Sequence, residues 1–127
     1  MVVAAFASWH ENHERARRAL DGEVRLIEHC ALETYSVLTR LPAPHRAPDA
    51  VVGEFLLTRF SRPYLRLSAN DYRNFILALS DHGIAGGAAY DALIAATAVA
   101  CGARLVTCDR RALSIYERYE VATQLVC

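Results

Sequence analysis

Two acidic residues stand at the ends of the most apolar stretches of this chain. Asp91 precedes an apolar run whose only hydroxyl group is that of Thr97, and Asp109 ends a second run that begins at Arg104. A third acid, Glu33, lies far upstream. Carboxylate oxygens bind hard cations such as Mg²⁺ and Mn²⁺, which keep several waters, so a few acids suffice. Such an ion polarises a phosphoryl oxygen and activates water, which indicates metal-assisted hydrolysis of a phosphoester.

Each of these acids also has an ordinary structural explanation. An Asp at the start of a helix accepts hydrogen bonds from backbone N–H groups and favours the positive end of the helix dipole, which is worth about 1 kcal/mol. This explanation fits Asp91 and Asp109, whereas Glu33 fits a solvated or salt-bridged helix position. The functional explanation requires the acids to crowd at one edge of the fold, where a cation offsets the repulsion between like charges.

The hydrophobic pattern predicts elements that could position the acids. Helical spacing, capping residues and proline breaks predict helices over 2–8, 11–20, 31–40, 48–59, 68–79, 88–101 and 110–118. Short apolar or alternating runs predict strands over 23–27, 64–67, 104–108 and 121–126. Alternating helices and strands favour a parallel sheet with helices on both faces. Such sheets bind ligands beyond the carboxyl ends of their strands, and Asp109 directly follows one of them.

The composition is that of one folded domain. Apolar residues make up 54% of the 127 residues, which is enough for a real core and too many for a disordered chain. No apolar stretch reaches the roughly 18 to 20 residues of a membrane span. No basic region precedes the apolar start, so a secretory signal is not indicated. We therefore expect a single cytoplasmic domain over residues 1–127, with no membrane attachment.

Charge and cysteine content limit the kinds of binding partner and the cellular compartment that we expect. Fourteen basic and fourteen acidic side chains balance, so no global field holds a polyanion. All the basic residues are arginines, whose guanidinium groups bind phosphates in a bidentate manner. Arg110 and Arg111 are candidate RNA-binding residues, or equally charged groups on an exposed helix. The cysteines lie far apart without a CxxC pair, which predicts free thiols in a cytosolic protein: Cys30, Cys101, Cys108 and Cys127.

Two strings of the C-terminal half together resemble a PIN domain. They are Tyr90-Asp-Ala-Leu-Ile-Ala-Ala-Thr-Ala and Leu105-Val-Thr-Cys-Asp-Arg-Arg. Glu33 matches an acid that PIN domains carry on an early helix, and the string from Trp9 to Ala16 resembles their second-helix region. More narrowly, essentially the whole chain is similar to the VapC-type toxins of bacterial toxin–antitoxin pairs.

The resemblance implies a fold, a site and partners. The fold would be a three-layer α/β/α sandwich with a parallel sheet, and the activity would be cleavage of single-stranded or looped RNA at a four-acid Mg²⁺ or Mn²⁺ site. Glu33, Asp91 and Asp109 fall on three of the four acids. Thr107 falls on a hydroxyl position beside the last acid, although an ordinary β-branched strand residue would also fit there. A VapB-type antitoxin and a second copy of the chain would be the protein partners.

The fourth acid of the resemblance belongs at the end of a first strand, directly before the first helix. Residues 1–6 correspond to that helix, so we expect the chain to lack this central strand and its Asp. One explanation is a misplaced start or a truncated form of an active ribonuclease. The alternative is a catalytically impaired remnant that only binds an antitoxin. A phosphate-accepting receiver domain also uses acids at sheet ends, but the absence of lysine and the motif order disfavour it.

Overall fold

The computed structural model describes residues 1–127 as two compact units, Met1–Tyr64 (unit 1) and Leu65–Cys127 (unit 2). Unit 1 consists of helices α1 Val2–Phe6, α2 His13–Ala19, α3 Glu28–Arg40 and α4 Asp49–Arg59. Unit 2 contains α5 Ala69–Ala78, α6 Ala88–Ala100, β1 Leu105–Thr107, α7 Leu113–Arg118 and β2 Thr123–Leu125. None of these helices combines the length and apolar character that crossing a membrane requires.

The core of unit 1 takes buried residues from all four of its helices, including one face of α3. Ala31, Thr34 and Leu38 recur at helical spacing on α3, and all three are buried. On α4, Val52 is fully buried and belongs to the same apolar cluster as Leu38. This packing fixes the helix whose opposite, exposed face carries the candidate acid of unit 1.

The strand predicted over 23–27 is not formed as an element; only Ile27 makes an isolated β-bridge there. The charged side chains of this segment instead make contacts with residues near the end of unit 1: Arg62 pairs with Glu23, and the Arg25 guanidinium donates to the Pro63 carbonyl at 2.6 Å. The alternation of polar and apolar residues therefore reflects a segment anchored by arginine contacts, not a run of strand pairing.

Burial of α6 explains its composition. Ala92, Ala95 and Ala98 have no exposed surface. The hydroxyl of Thr97, a residue only 2% exposed, donates to the Leu93 carbonyl one turn earlier at 2.7 Å. A threonine in a helix satisfies its hydroxyl in this way. The one polar side chain of the apolar run therefore needs no partner outside its own helix.

The two strands of unit 2 form a parallel sheet with the register Leu105↔Thr123, Val106↔Gln124 and Thr107↔Leu125. This pairing, flanked by helices, confirms the α/β class and the parallel sheet. Both strands are shorter than the predicted 104–108 and 121–126. The strand predicted over 64–67 is not formed as an element; only Leu65 makes an isolated β-bridge there.

Each strand of unit 2 is preceded by the same helix ending. At the end of α6, Gly102 has φ 61°, its N–H donates to Val99, and the next N–H donates to Ala98. This bond pattern is the Schellman motif, which reverses the chain. Glu120 with φ 53° occupies the equivalent position after α7, with equivalent bonds from Glu120 to Glu117 and from Val121 to Tyr116. Matching helix endings start the strands in register.

The prediction of free cysteines is wrong for one pair. Cys108 and Cys127 form a disulfide, with their Cα atoms 4.9 Å apart. The two residues are distant in sequence, but each follows one of the paired strands, so the parallel register brings their ends together. Cys30 and Cys101 take part in no disulfide, as predicted.

Candidate functional site

Asp109 lies in a turn that fixes its backbone and one of its carboxylate oxygens. Its N–H donates to Oγ1 of the buried Thr107 at 3.0 Å. Its Oδ1 accepts from the N–H of Arg111 at 2.8 Å. The residue is exposed, so the turn leaves Oδ2 for another partner. This geometry gives the carboxylate a defined direction just beyond the carboxyl end of β1.

The turn also corrects the predicted start of the last helix. That helix was predicted from residue 110, but α7 begins at Leu113 with Ala112 as its N-cap and no side-chain cap. Asp109 therefore stabilises a turn before the helix and does not cap the helix itself. Arg110 and Arg111 lie in this turn and are exposed, which places both guanidinium groups on a loop at the strand end.

Asp91 lies in the first turn of α6 and is half-buried. Gly87 is the N-cap of this helix, so Asp91 is not the N-cap residue itself. The helix dipole favours a negative charge at its position.

Asp91 and Asp109 belong to consecutive elements of unit 2. The Schellman motif at Gly102 ends α6, and the short connection 101–104 leads into β1. Asp91 lies at the start of α6, and Asp109 lies beyond the carboxyl end of β1, where parallel sheets bind their ligands.

Glu33 lies on the exposed face of α3 in unit 1. Its Oε2 is 3.8 Å from Nε2 of His29, one turn earlier. The i, i+4 spacing could have indicated this pair from the sequence alone. The ordinary explanation of Glu33, a solvated and ion-paired helix position, describes its immediate surroundings.

The donors of unit 2 suit a hard cation in kind and number. Within neither unit do three or more His, Cys, Asp or Glu side chains come close enough together to hold a metal ion. Mg²⁺, however, is commonly held by one or two carboxylates and keeps its waters for the remaining positions. Asp91 and the free oxygen of Asp109 offer oxygen ligands of that kind.

A second polar feature of unit 2 escaped sequence reasoning. The rings of His82 and Tyr119 are stacked with their centroids 4.4 Å apart, and Arg118 donates to the carbonyls of His82 and Gly83 at 3.3 Å. The Tyr119 hydroxyl is buried and has no hydrogen-bond partner. Burial raises the pKa of Tyr119, so this hydroxyl stays neutral at physiological pH.

Comparisons with known proteins place similar sequences along nearly the whole chain. A protein-family model described as PIN domain matches residues 1–118. Ribonuclease VapC40 of Mycobacterium tuberculosis is 52% identical over 126 residues, which cover 99% of this chain and 94% of that protein. Ribonuclease VapC27 of the same species is 38% identical over 118 residues, which cover 93% of this chain and 79% of that protein. No solved structure matches significantly.

Proposed function

Because this chain belongs to the PIN domain family, we propose that it is the endoribonuclease toxin of a VapBC-type toxin–antitoxin pair and hydrolyses RNA phosphodiesters. The observation that carries the proposal is the 52% identity to a ribonuclease of the VapC type over 99% of the chain. The turn at Asp109 supports it, because a metal-dependent nuclease needs a directed carboxylate at the sheet edge.

The proposed roles of the acids rest on their match to PIN domain positions, and the role of Thr107 rests on its hydrogen bond. Asp109 and Asp91 are the metal-holding carboxylates of unit 2, and Glu33 is the third acid. Bound Mg²⁺ or Mn²⁺ would supply charge stabilisation at the scissile phosphate and a water nucleophile. Thr107 holds the Asp109 backbone through its hydroxyl. Two exposed guanidinium groups, those of Arg110 and Arg111, bind RNA phosphates beside the acids.

The direct test is RNA cleavage by the purified chain with Mg²⁺ or Mn²⁺. Asp91→Asn and Asp109→Asn should each lower the cleavage rate by about 100-fold or more, since each removes a ligand charge and not merely an outer support. Asp71→Asn is the matched control, because Asp71 lies in the first turn of a unit 2 helix, as Asp91 does, and is exposed, as Asp109 is. Undiminished cleavage by both Asn variants would refute the site. Chelation of the metal should abolish cleavage by the unsubstituted chain.

The proposal also covers the finer architecture. The PIN domain match over residues 1–118 runs through both units, which supports one PIN-like α/β domain. Three acids of this chain, Glu33, Asp91 and Asp109, are the proposed family acids. Cleavage and Mn²⁺ binding by the 127-residue chain would show that three acids suffice. Antitoxin binding without either would favour the alternative of a catalytically impaired, partner-binding protein.

The proposed partners are the RNA substrate, a VapB-type antitoxin and a second copy of the chain, in the cytoplasm. The names of the two relatives support the first two. Co-purification with a co-expressed antitoxin, followed by light scattering of the complex and of the chain alone, tests the antitoxin and the homodimer separately.

A further inference from the structure

The disulfide of unit 2 lies next to the candidate metal ligand. Cys108 is bonded to Cys127 and is the residue that precedes Asp109. Both half-cystines are half-buried. The bond therefore joins the position before Asp109 to a second segment of the chain.

The disulfide adds a covalent link at the point where the hydrogen-bonded ladder ends. Thr107 is the last paired residue of β1, and its carbonyl accepts from the Val126 N–H at 2.9 Å. Beyond that bond, the link between Cys108 and Cys127 holds the two segments together. The turn of Asp109 is thus held from its N-terminal side by the disulfide and from its C-terminal side by the bond to the Arg111 N–H.

We propose that Cys108 and Cys127 form a reversible oxidation site that sets how firmly Asp109 is held. The part of this inference that concerns metal affinity rests on the proposed function. In a reducing compartment a disulfide between such residues is transient and responds to the redox state. The pair therefore exists there in two forms, a dithiol and a disulfide.

The interconversion is a thiol–disulfide exchange with a low-molecular-weight disulfide. One cysteine sulfur loses its proton and attacks a sulfur of the small disulfide, which releases one small thiol and leaves a mixed disulfide. The second cysteine sulfur loses its proton and attacks the first, forming the S–S bond and releasing the second small thiol. The protein loses two electrons and two protons, and the small disulfide gains them. Excess small thiol reverses the reaction.

The two forms should differ at Asp109 because preorganised ligands bind metal more tightly than mobile ones. In the disulfide form the backbone before Asp109 is anchored to the neighbouring segment. In the dithiol form only the ladder and the turn hold it. We expect the amides of residues 108–112 to exchange with solvent about tenfold faster in the dithiol form, and Mn²⁺ to bind about tenfold more weakly, as for loss of an outer support of a ligand.

The experiment compares two preparations of the full chain. One is oxidised by a small disulfide, and the other is reduced by a phosphine, which is then removed. Alkylation and mass spectrometry define the forms, since after oxidation only the Cys108–Cys127 pair should carry neither the alkyl group nor the small thiol. Amide exchange of residues 108–112 and Mn²⁺ titration followed by electron paramagnetic resonance are then measured on both. Faster exchange and weaker Mn²⁺ binding after reduction support the proposal.

Equal exchange rates or equal Mn²⁺ affinities in the two forms would overturn it. Cys101→Ser should keep both differences, because Cys101 lies outside the disulfide. Cys127→Ser should behave as the dithiol form under both conditions. If this variant does not fold, the two forms of the unsubstituted chain still provide the test. Absence of RNA cleavage in both forms, with a difference in amide exchange, would count against the proposed function alone.

Discussion

At the scale of single residues, the turn around Asp109 shows how the residues that follow a strand orient a carboxylate. The amide of Asp109 and one of its carboxylate oxygens are both bound within the turn. A carboxylate constrained in this way loses less conformational entropy when it binds an ion. Sequence reasoning identified the residues Thr107 and Asp109 but not the hydrogen bond between them, because a β-branched residue in a strand needs no functional explanation.

Thr107→Val tests whether this bond positions the acid. Valine keeps the shape and removes the acceptor of the Asp109 N–H, so we expect unfolding to become easier by about 1 kcal/mol and Mn²⁺ to bind about tenfold more weakly. Urea unfolding and a Mn²⁺ titration measure the two effects. Thr107→Ser retains the hydroxyl and should restore the Mn²⁺ affinity. A valine variant that binds Mn²⁺ as tightly as the unsubstituted chain would show that Thr107 is only a strand residue.

At the scale of elements, two equivalent helix endings start both strands of unit 2. Gly102 and Glu120 hold the same left-handed position, with φ 61° and 53°, and they are as far apart in sequence as the paired residues Leu105 and Thr123. The strand register therefore follows from the spacing of the two turns. Sequence analysis predicted neither turn; the left-handed conformation suits the glycine at 102, whereas the glutamate at 120 gives no such signal.

Glu120→Gly should stabilise the protein. A residue other than glycine in the left-handed region loses about 1 kcal/mol relative to its preferred conformations, and the greater freedom of glycine in the unfolded chain offsets part of the gain. We expect a net increase of about 0.5 kcal/mol in the free energy of unfolding, measured by urea denaturation. Gly102→Ala is the opposite control: nothing lies within 4 Å of a Cβ built there, so its destabilisation would report the backbone conformation alone. A destabilised Glu120→Gly variant would contradict this account.

The helices could be predicted from the sequence better than the sheet. Prolines and the Ser68 cap, which accepts the Asp71 N–H at 3.1 Å, are local signals, and the predicted helices are all present with shifted ends. The strand predicted over 23–27 is reduced to a single β-bridge at Ile27, because alternation does not say how far a pairing extends. The bond between Cys108 and Cys127 could not be predicted either, because it depends on the parallel register of two strands.

At the scale of the whole molecule, the balance of fourteen basic and fourteen acidic side chains limits how RNA is bound. Without a global positive field, affinity must come from a few local contacts, and we expect Arg110 and Arg111 to provide some of them. Each phosphate contact with a single strand contributes about 0.7 to the slope of the logarithm of affinity against the logarithm of salt concentration. The chain should therefore bind RNA with a shallow salt dependence, unlike strongly basic nucleic-acid-binding proteins.

Metal binding should also stabilise the folded protein as a whole, because the ion binds the folded site better than the unfolded chain. At a Mn²⁺ concentration of 100 times the Kd, the expected stabilisation is about 2.7 kcal/mol, which for a chain of this size raises Tm by roughly 10 °C. Thermal unfolding with increasing Mn²⁺ measures this rise without any RNA. Asp71→Asn should preserve the rise and Asp109→Asn should reduce it, since only Asp109 is a proposed ligand. If the Asp109→Asn variant showed the full rise, the ion would bind elsewhere, and RNA cleavage would need a different set of acids.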